Sequence, residues 1–113
     1  MALLVVAYPQ LTTADLAWIQ AIRERHDPNY SLIAPHFTLV FPVNTVANDV
    51  FIAHVTTRAA PFSRIPFTIR CAMIVKDAFS PLIYLFLVPD DGNSALIKLH
   101  DALYTYMLAD ALR

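Results

Sequence analysis

Two side chains separated by one residue, His36 and Thr38, have the types and spacing that could do chemistry. In an extended strand, alternate residues point to the same face, so the imidazole and the hydroxyl would lie roughly 7 Å apart while Phe37 points away. An imidazole can exchange a proton with a reacting oxygen, and a threonine hydroxyl can hydrogen-bond a phosphate oxygen. The pair therefore suits phosphate chemistry that needs no metal and no cofactor. The ordinary alternative is a hydrogen-bonded strand histidine beside a threonine that favours β structure.

Three further side chains are candidates for substrate binding. Arg64 and Arg70 fall on the polar side of an alternating segment and could hold a phosphate through paired hydrogen bonds. Such residues more often line a solvated sheet face. Tyr8 follows the first apolar segment and could stack on a base, as aromatic side chains do with single-stranded RNA, although helix packing explains it equally well.

The other histidines show no comparable arrangement. His54-Val55-Thr56 repeats the spacing within a predicted helix, where residues two apart point about 200° away from each other. His100 has no threonine two residues later and lies beside a helical apolar stripe, which predicts a surface or boundary position. The histidines have no metal-ligand spacing, and Gly92 is the single glycine, so a glycine-rich phosphate loop is excluded.

The composition limits the kinds of partner. Of the 113 residues, 58% are hydrophobic and 15% charged, and the formal net charge is −1, which argues against a face for DNA or for an anionic membrane. We expect part of the apolar surface to meet a partner, with a homo-oligomer as one form. The single cysteine, Cys71, fits a reducing cytoplasm, and its place in an apolar row predicts a small buried side chain.

Periodicity and end signals predict the elements that position these residues. They are a strand Leu3–Ala7, a helix from Thr12 or Thr13 to Asp27-Pro28, a strand Pro35–Pro42, a helix from Asn48 to about Arg58, an alternating strand Ser63–Lys76, a strand Leu82–Val88, and a helix from Ala95 to about Leu112 with the buried stripe Leu96, Leu99, Leu103 and Met107. The two strands around the turn Asp77–Pro81 are predicted to form a hairpin. Residues 1–113 are thus predicted to be a single α+β domain of order βαβαββα, with a mixed sheet packed against helices.

The segment Ala34–Pro42 (APHFTLVFP) resembles the first motif of the 2H phosphoesterase superfamily, the 2′-5′ RNA ligase-like cyclic phosphodiesterases. That motif is a proline, a histidine, any residue, a threonine or serine, and then apolar strand residues. The order of the flanking elements is also similar, down to the last helix with Leu99-His100-Asp101-Ala102-Leu103. The resemblance implies one lobe and part of the second lobe of the 2H fold. It also implies a metal-free enzyme that hydrolyses or forms phosphodiester bonds at 2′ or 3′ oxygens of RNA ends or small cyclic nucleotides.

In that family, two such motifs face each other across a cleft, and one histidine acts as base while the other acts as acid. The resemblance gives His36 one of these roles and makes Thr38 a phosphate ligand. We expect the second motif to follow the last helix, beyond Arg113, so that this sequence is truncated before it and is impaired in catalysis. The alternative hypothesis is a non-catalytic binding or assembly module that retains the fold.

Overall fold

The computed structural model describes residues 2–111 and confirms the α+β class and the predicted order of elements. In chain order the elements are β1 (Leu3–Ala7), α1 (Thr13–His26), β2 (Phe37–Val43), α2 (Asn48–Ala59), β3 (Ile69–Lys76), β4 (Ile83–Pro89), α3 (Asn93–Leu103) and a 3-10 helix (Tyr106–Ala111). The predicted last helical residue, Leu112, and the terminal Arg113 lie outside the described residues.

Helix α1 begins and ends where its sequence signals predict. The Thr12 hydroxyl accepts a hydrogen bond from the backbone N–H of Asp15 at 3.1 Å, which caps the first turn. The helix ends at His26, because Asp27 precedes Pro28 and a residue preceding proline avoids the helical region. Among residues 2–111, none of the helices is both long enough and apolar enough to cross a membrane.

The strands pair differently from the predicted mixed sheet. They form two separate antiparallel pairs within residues 2–111, β1 with β2 and β3 with β4. Alternation within a segment predicts a strand but does not specify its neighbour, so this pairing could not be derived from the pattern. Strand β2 also runs through Pro42, which was predicted to end it. Each strand of a two-stranded sheet has a free edge, where a proline costs no ladder hydrogen bond.

The core lies between strand β2, helices α2 and α3 and the 3-10 helix. Its buried apolar side chains come from β2, α2, α3 and the 3-10 helix: Leu39, Val40, Val43, Phe51, Leu103, Tyr104 and Leu108. Two hydrogen bonds tie these layers together. The Tyr104 hydroxyl accepts from the Phe41 backbone N–H at 2.9 Å, and His54 Nε2 donates to the Leu103 carbonyl at 2.9 Å.

Helix α3 ends at Leu103, well before the predicted end near Leu112. Tyr104 leaves the helical region with φ −86° and ψ 51°, and Tyr106 has φ 51°. The apolar pattern continues past this turn and therefore hides it from sequence inspection. The backbone turn rotates the following residues, so Met107, predicted in the buried stripe, is exposed, whereas Leu108 is buried.

The start of α3 is held against the chain segment before β3 by Gly92. This residue has φ 88°, a left-handed conformation that favours glycine. A Cβ atom there would clash with the Pro66 carbonyl oxygen and would lie 2.8 Å from the Cβ of Phe67. The single glycine of the sequence is therefore required by both its backbone conformation and its close packing.

The predicted hairpin is confirmed, with register pairs running from Cys71 opposite Val88 to Lys76 opposite Ile83. In its turn, the Asp77 carboxylate accepts hydrogen bonds from the Ser80 hydroxyl at 2.7 Å and from the Phe79 N–H at 3.1 Å. Cys71, predicted to be buried, is exposed. Alternation indicates the face on which a residue lies but not whether another element covers that face.

Candidate functional site

His36 lies directly before strand β2, and its side chain is exposed. Its Nδ1 atom lies 2.8 Å from the carbonyl oxygen of Ala34. A carbonyl oxygen can only accept a hydrogen bond, so Nδ1 is the donor, and the neutral ring carries its lone pair on Nε2. The local backbone therefore selects Nε2 as the atom that can take up or release a proton.

Thr38 lies within β2, opposite Val6 of β1, and is half-buried. The residue between the two motif side chains, Phe37, packs edge-on against Phe67 at 5.3 Å between ring centroids. Since alternate residues of an extended chain share a face, we expect His36 and Thr38 to lie on the face opposite Phe37.

Tyr8 follows β1 and is the aromatic neighbour of the motif. Its ring lies edge-on to the His36 imidazole, with 6.4 Å between centroids and 68° between planes. Ala7 pairs with Phe37 in the antiparallel sheet. Tyr8, which follows Ala7, therefore comes opposite His36, which precedes Phe37. The structure thus brings together two of the predicted site residues that lie far apart in sequence.

The loop that supplies the Ala34 carbonyl is held by Arg23 of α1. Its guanidinium donates to Asp27 Oδ2 at 2.9 Å, to the Ile33 carbonyl at 2.6 Å and to Gln20 Oε1 at 2.8 Å. Ile33 immediately precedes Ala34, so this clamp fixes the backbone that orients His36. Its one signal in the sequence is the helical i, i+4 spacing of Arg23 and Asp27, which does not indicate the bond to Ile33.

The Asp27 carboxylate is electrostatically linked to the motif. Burial raises its pKa, but the Asn29 N–H, the hydrogen bond and charge of Arg23, and the charge of His36 together lower the pKa from its ordinary value of 3.8. The Asn29 N–H donates to Asp27 Oδ1 at 2.9 Å. An anionic side chain therefore lies within electrostatic range of the imidazole.

A hollow of about 940 Å³ lies next to Tyr8, between α1 and the base of the hairpin. Tyr8, Arg64 and Arg70 line it, whereas His36 and Thr38 are not among its lining residues. Arg64 donates to the side-chain oxygen of Gln10. Arg70 forms ion pairs with Asp90 at 3.1 Å and Asp91 at 3.3 Å, so two carboxylates already offset its charge. The structure brings both arginines to the hollow but not to the motif.

The second His-x-Thr string lies in helix α2, as predicted. His54 is buried and bonded to the Leu103 carbonyl, and the Thr56 hydroxyl donates to the Ile52 carbonyl at 2.8 Å. His100 is partly buried, with Nδ1 2.9 Å from Asp101 Oδ1. Among the described residues 2–111, no three His, Cys, Asp or Glu side chains cluster so that they could hold a metal ion.

Comparisons with known proteins identify the family. The family model described as the 2′-5′ RNA ligase superfamily matches residues 11–111, and the chain belongs to that superfamily. The family predicted from the Ala34–Pro42 segment is thus confirmed.

Two curated relatives show similarity over most of this chain. One from Bacillus licheniformis is 26% identical over 108 residues, and one from Bacillus pumilus is 29% identical over 100 residues; each is named "Putative phosphoesterase". The matches cover 94% and 88% of this chain but 60% and 56% of those proteins, so the chain spans about three-fifths of the relatives' length. No solved structure matches the chain.

Proposed function

We propose that this chain supplies one histidine half of a phosphoesterase site that acts on 2′,3′-cyclic phosphates of RNA ends or small nucleotides. The observation that carries the proposal is the hydrogen bond from His36 Nδ1 to the Ala34 carbonyl, which leaves the lone pair on Nε2 of an exposed ring. Membership of the 2′-5′ RNA ligase superfamily supports phosphoester chemistry for this motif.

The proposed hydrolysis adds one water molecule to the cyclic phosphate. The water oxygen attacks phosphorus while the bond from phosphorus to one ribose oxygen breaks. One group accepts a proton from the water, and another gives a proton to the departing ribose oxygen. His36 Nε2 performs one of these two transfers, and the Thr38 hydroxyl donates a hydrogen bond to a non-bridging phosphate oxygen.

The candidate binding residues have different roles, which depend on their distance from His36. Tyr8 stacks on the base or ribose next to the phosphate, because it is an exposed ring beside His36. Arg64 and Arg70 hold more distant phosphates of a longer RNA end, since both line the hollow beside Tyr8 rather than the motif. Of the two, Arg70 must first give up its ion pairs with Asp90 and Asp91.

Hydrolysis of a 2′,3′-cyclic nucleotide tests the proposal directly. We expect His36→Ala to lower kcat by about 100-fold, the usual size of one proton transfer, and Thr38→Val to lower it by about tenfold. The matched control is His26→Ala, which removes an exposed histidine of α1 and should leave the rate unchanged. Equal rates for wild type and His36→Ala would contradict the proposal.

Binding tests the same site without turnover, which matters because one histidine supplies only one of two proton transfers. Titration with a 2′-nucleotide should shift the NMR resonances of the His36 ring and leave those of His26 in place. Absence of both hydrolysis and a His36 shift would remove phosphate chemistry from this motif and favour the non-catalytic module, for which the exposed hairpin is the supporting observation.

A further inference from the structure

Arg23 of helix α1 joins the two ends of the loop that leads to the motif. The loop runs from residue 27 to residue 36, between α1 and β2. Arg23 Nε donates to Asp27 Oδ2 at 2.9 Å where the loop begins, and Nη2 donates to the Ile33 carbonyl at 2.6 Å near its end. Between these points, the guanidinium lies over the Tyr30 ring, 5.9 Å from the ring centroid. One side chain therefore contacts the beginning, the middle and the end of the loop.

The Arg23 guanidinium is shielded from water and has an acceptor at each of its three nitrogens. Its side chain is 13% exposed, and Nη1 donates to Gln20 Oε1 at 2.8 Å, which completes the set. A planar guanidinium holds its acceptors in fixed directions, whereas a lysine ammonium is a compact point charge on a flexible stem. Hydrogen bonds to a charged group also contribute more than neutral ones. Lysine at this position would therefore keep the charge but not the geometry.

The chain between this anchor and the motif is short and stiff. Only Ala34 and Pro35 separate Ile33 from His36. The proline ring fixes its own φ at about −65°, and a residue before proline is restricted to extended conformations. A displacement of the Ile33 carbonyl would therefore be passed on to the Ala34 carbonyl, which lies 2.8 Å from His36 Nδ1.

The Ala34 carbonyl decides which ring nitrogen of neutral His36 carries the proton. An acceptor beside Nδ1 favours the tautomer that has the hydrogen on Nδ1 and the lone pair on Nε2. If this carbonyl moved away, the proton could reside on Nε2 as well, and a neutral ring in that form cannot accept a proton there. Loss of the acceptor would thus remove the reactive lone pair from Nε2 without any change to His36 itself.

We propose that Arg23 is a positioning residue that keeps the proton of neutral His36 on Nδ1 and leaves Nε2 free for proton transfer. It acts through the Ile33 and Ala34 carbonyls, since its hydrogen bonds go to the loop and to Gln20. This role rests on the proposed function, in which His36 Nε2 transfers a proton.

Nitrogen NMR of the His36 ring measures the tautomer without requiring turnover. At mildly alkaline pH, where histidine rings are neutral, we expect the wild type to carry the proton on Nδ1. Arg23→Lys keeps the positive charge but loses the planar guanidinium, so the ring-nitrogen shifts should move toward those of the form protonated on Nε2. Gln20→Ala removes one anchor of the guanidinium and leaves both of its bonds to the loop. It should cause a smaller shift in the same direction, and it carries the test if the lysine variant fails to fold.

Hydrolysis of a 2′,3′-cyclic nucleotide measures the consequence for the chemistry. Per folded molecule, Arg23→Lys should lower kcat by about tenfold and leave KM within about twofold, because Arg23 acts on the ring rather than on the bound phosphate. The matched control is Arg25→Lys, which makes the same change at an exposed arginine of the same helix. It should match the wild type in both rate and tautomer.

The two measurements distinguish this role from the proposed function. A wild-type tautomer in Arg23→Lys, or in Gln20→Ala if the lysine variant does not fold, would overturn the positioning role. Hydrolysis that needs His36 but is unchanged in Arg23→Lys would overturn it too, as would an Arg25→Lys variant that loses the tautomer equally. If wild type and His36→Ala hydrolyse equally while Arg23→Lys still shifts the tautomer, Arg23 orients the ring and the proposed function alone fails.

Discussion

The core around β2 and the β3–β4 hairpin use similar apolar strands with opposite results. In β2, Leu39 and Val40 are buried in the core cluster that also contains Phe51 of α2 and Leu103 of α3. In the hairpin, Ile74 and Leu85 point into open space because no described helix lies over them. An apolar strand therefore acquires its stabilising role from the element that covers it.

The same contrast holds for two arginines. Arg23 is 13% exposed and its guanidinium joins a carboxylate, an amide oxygen and a backbone carbonyl. Arg70 is 60% exposed and meets two carboxylates at the base of the hairpin. Water screens the second set of contacts much more than the first, so we expect the Arg23 contacts to contribute more to stability than the Arg70 contacts.

The largest expected effect compares a leucine from each region. Leu103→Ala should lower the free energy of unfolding by about 3 kcal/mol, because it leaves a cavity in the core. Leu85→Ala should change it by less than about 0.5 kcal/mol, because the Leu85 side chain is 60% exposed. Urea denaturation checks both variants. Similar losses would show that the hairpin is as tightly packed as the core.

A smaller effect separates the two arginines. Arg23→Gln should cost about 2 kcal/mol of unfolding free energy, because it removes charge-assisted hydrogen bonds from a shielded site. Arg70→Gln should cost less than about 1 kcal/mol, as expected for an exposed ion pair. Thermal unfolding of the two variants beside the wild type measures the difference. The comparison fails for polar contacts if Arg70→Gln is the more damaging change.

The smallest expected effect concerns acid stability. Asp27 and Asp77 both have pKa values below 3.8; burial opposes the shift at Asp27, whereas the Ser80 hydrogen bond leads it at Asp77. A lowered pKa in the folded state contributes stability above the unfolded value, and that stability is lost as pH falls below about 4. Asp27→Asn should reduce the loss of unfolding free energy with falling pH more than Asp77→Asn does, because the Asp77 turn is open to water. Unfolding free energies measured from neutral pH into this range would decide, and an equal reduction would contradict the ranking.

The order of elements could be predicted because its signals are local. The cap at Thr12, the helical spacing in α1 and α2, and the alternation in β3 each involve residues within a few positions. The pairing of strands and the exposure of Cys71 depend on which distant segment lies nearby, and no local pattern contains that information. The early end of α3 was hidden for a different reason, because apolar residues continue through the backbone turn at Tyr104.

In the candidate site, too, local features could be predicted from the sequence, whereas contacts between distant segments could not. The spacing of His36 and Thr38 indicated the motif, and the orienting hydrogen bond from Nδ1 comes from a residue only two positions away. The place of Tyr8 after β1 predicts a binding role, but its contact with His36 follows from the strand register. The Arg23 contacts are not evident from the sequence, because the position of Asp27 before Pro28 is already accounted for by the end of helix α1. The ion pair between Asp27 and Arg23 is seen only in the structure.

Gly92 restricts how this sequence can evolve. A side chain at this position would push the Pro66–Phe67 segment away from the first turn of α3, and Phe67 in turn supports Phe37 between the two motif residues. A mutation to alanine would therefore reach the neighbourhood of His36 through two successive contacts, from position 92 to Phe67 and from Phe67 to Phe37. A methyl group added at position 92 would thus disturb the motif from a distant loop. We therefore expect Gly92 to be retained wherever the motif remains functional.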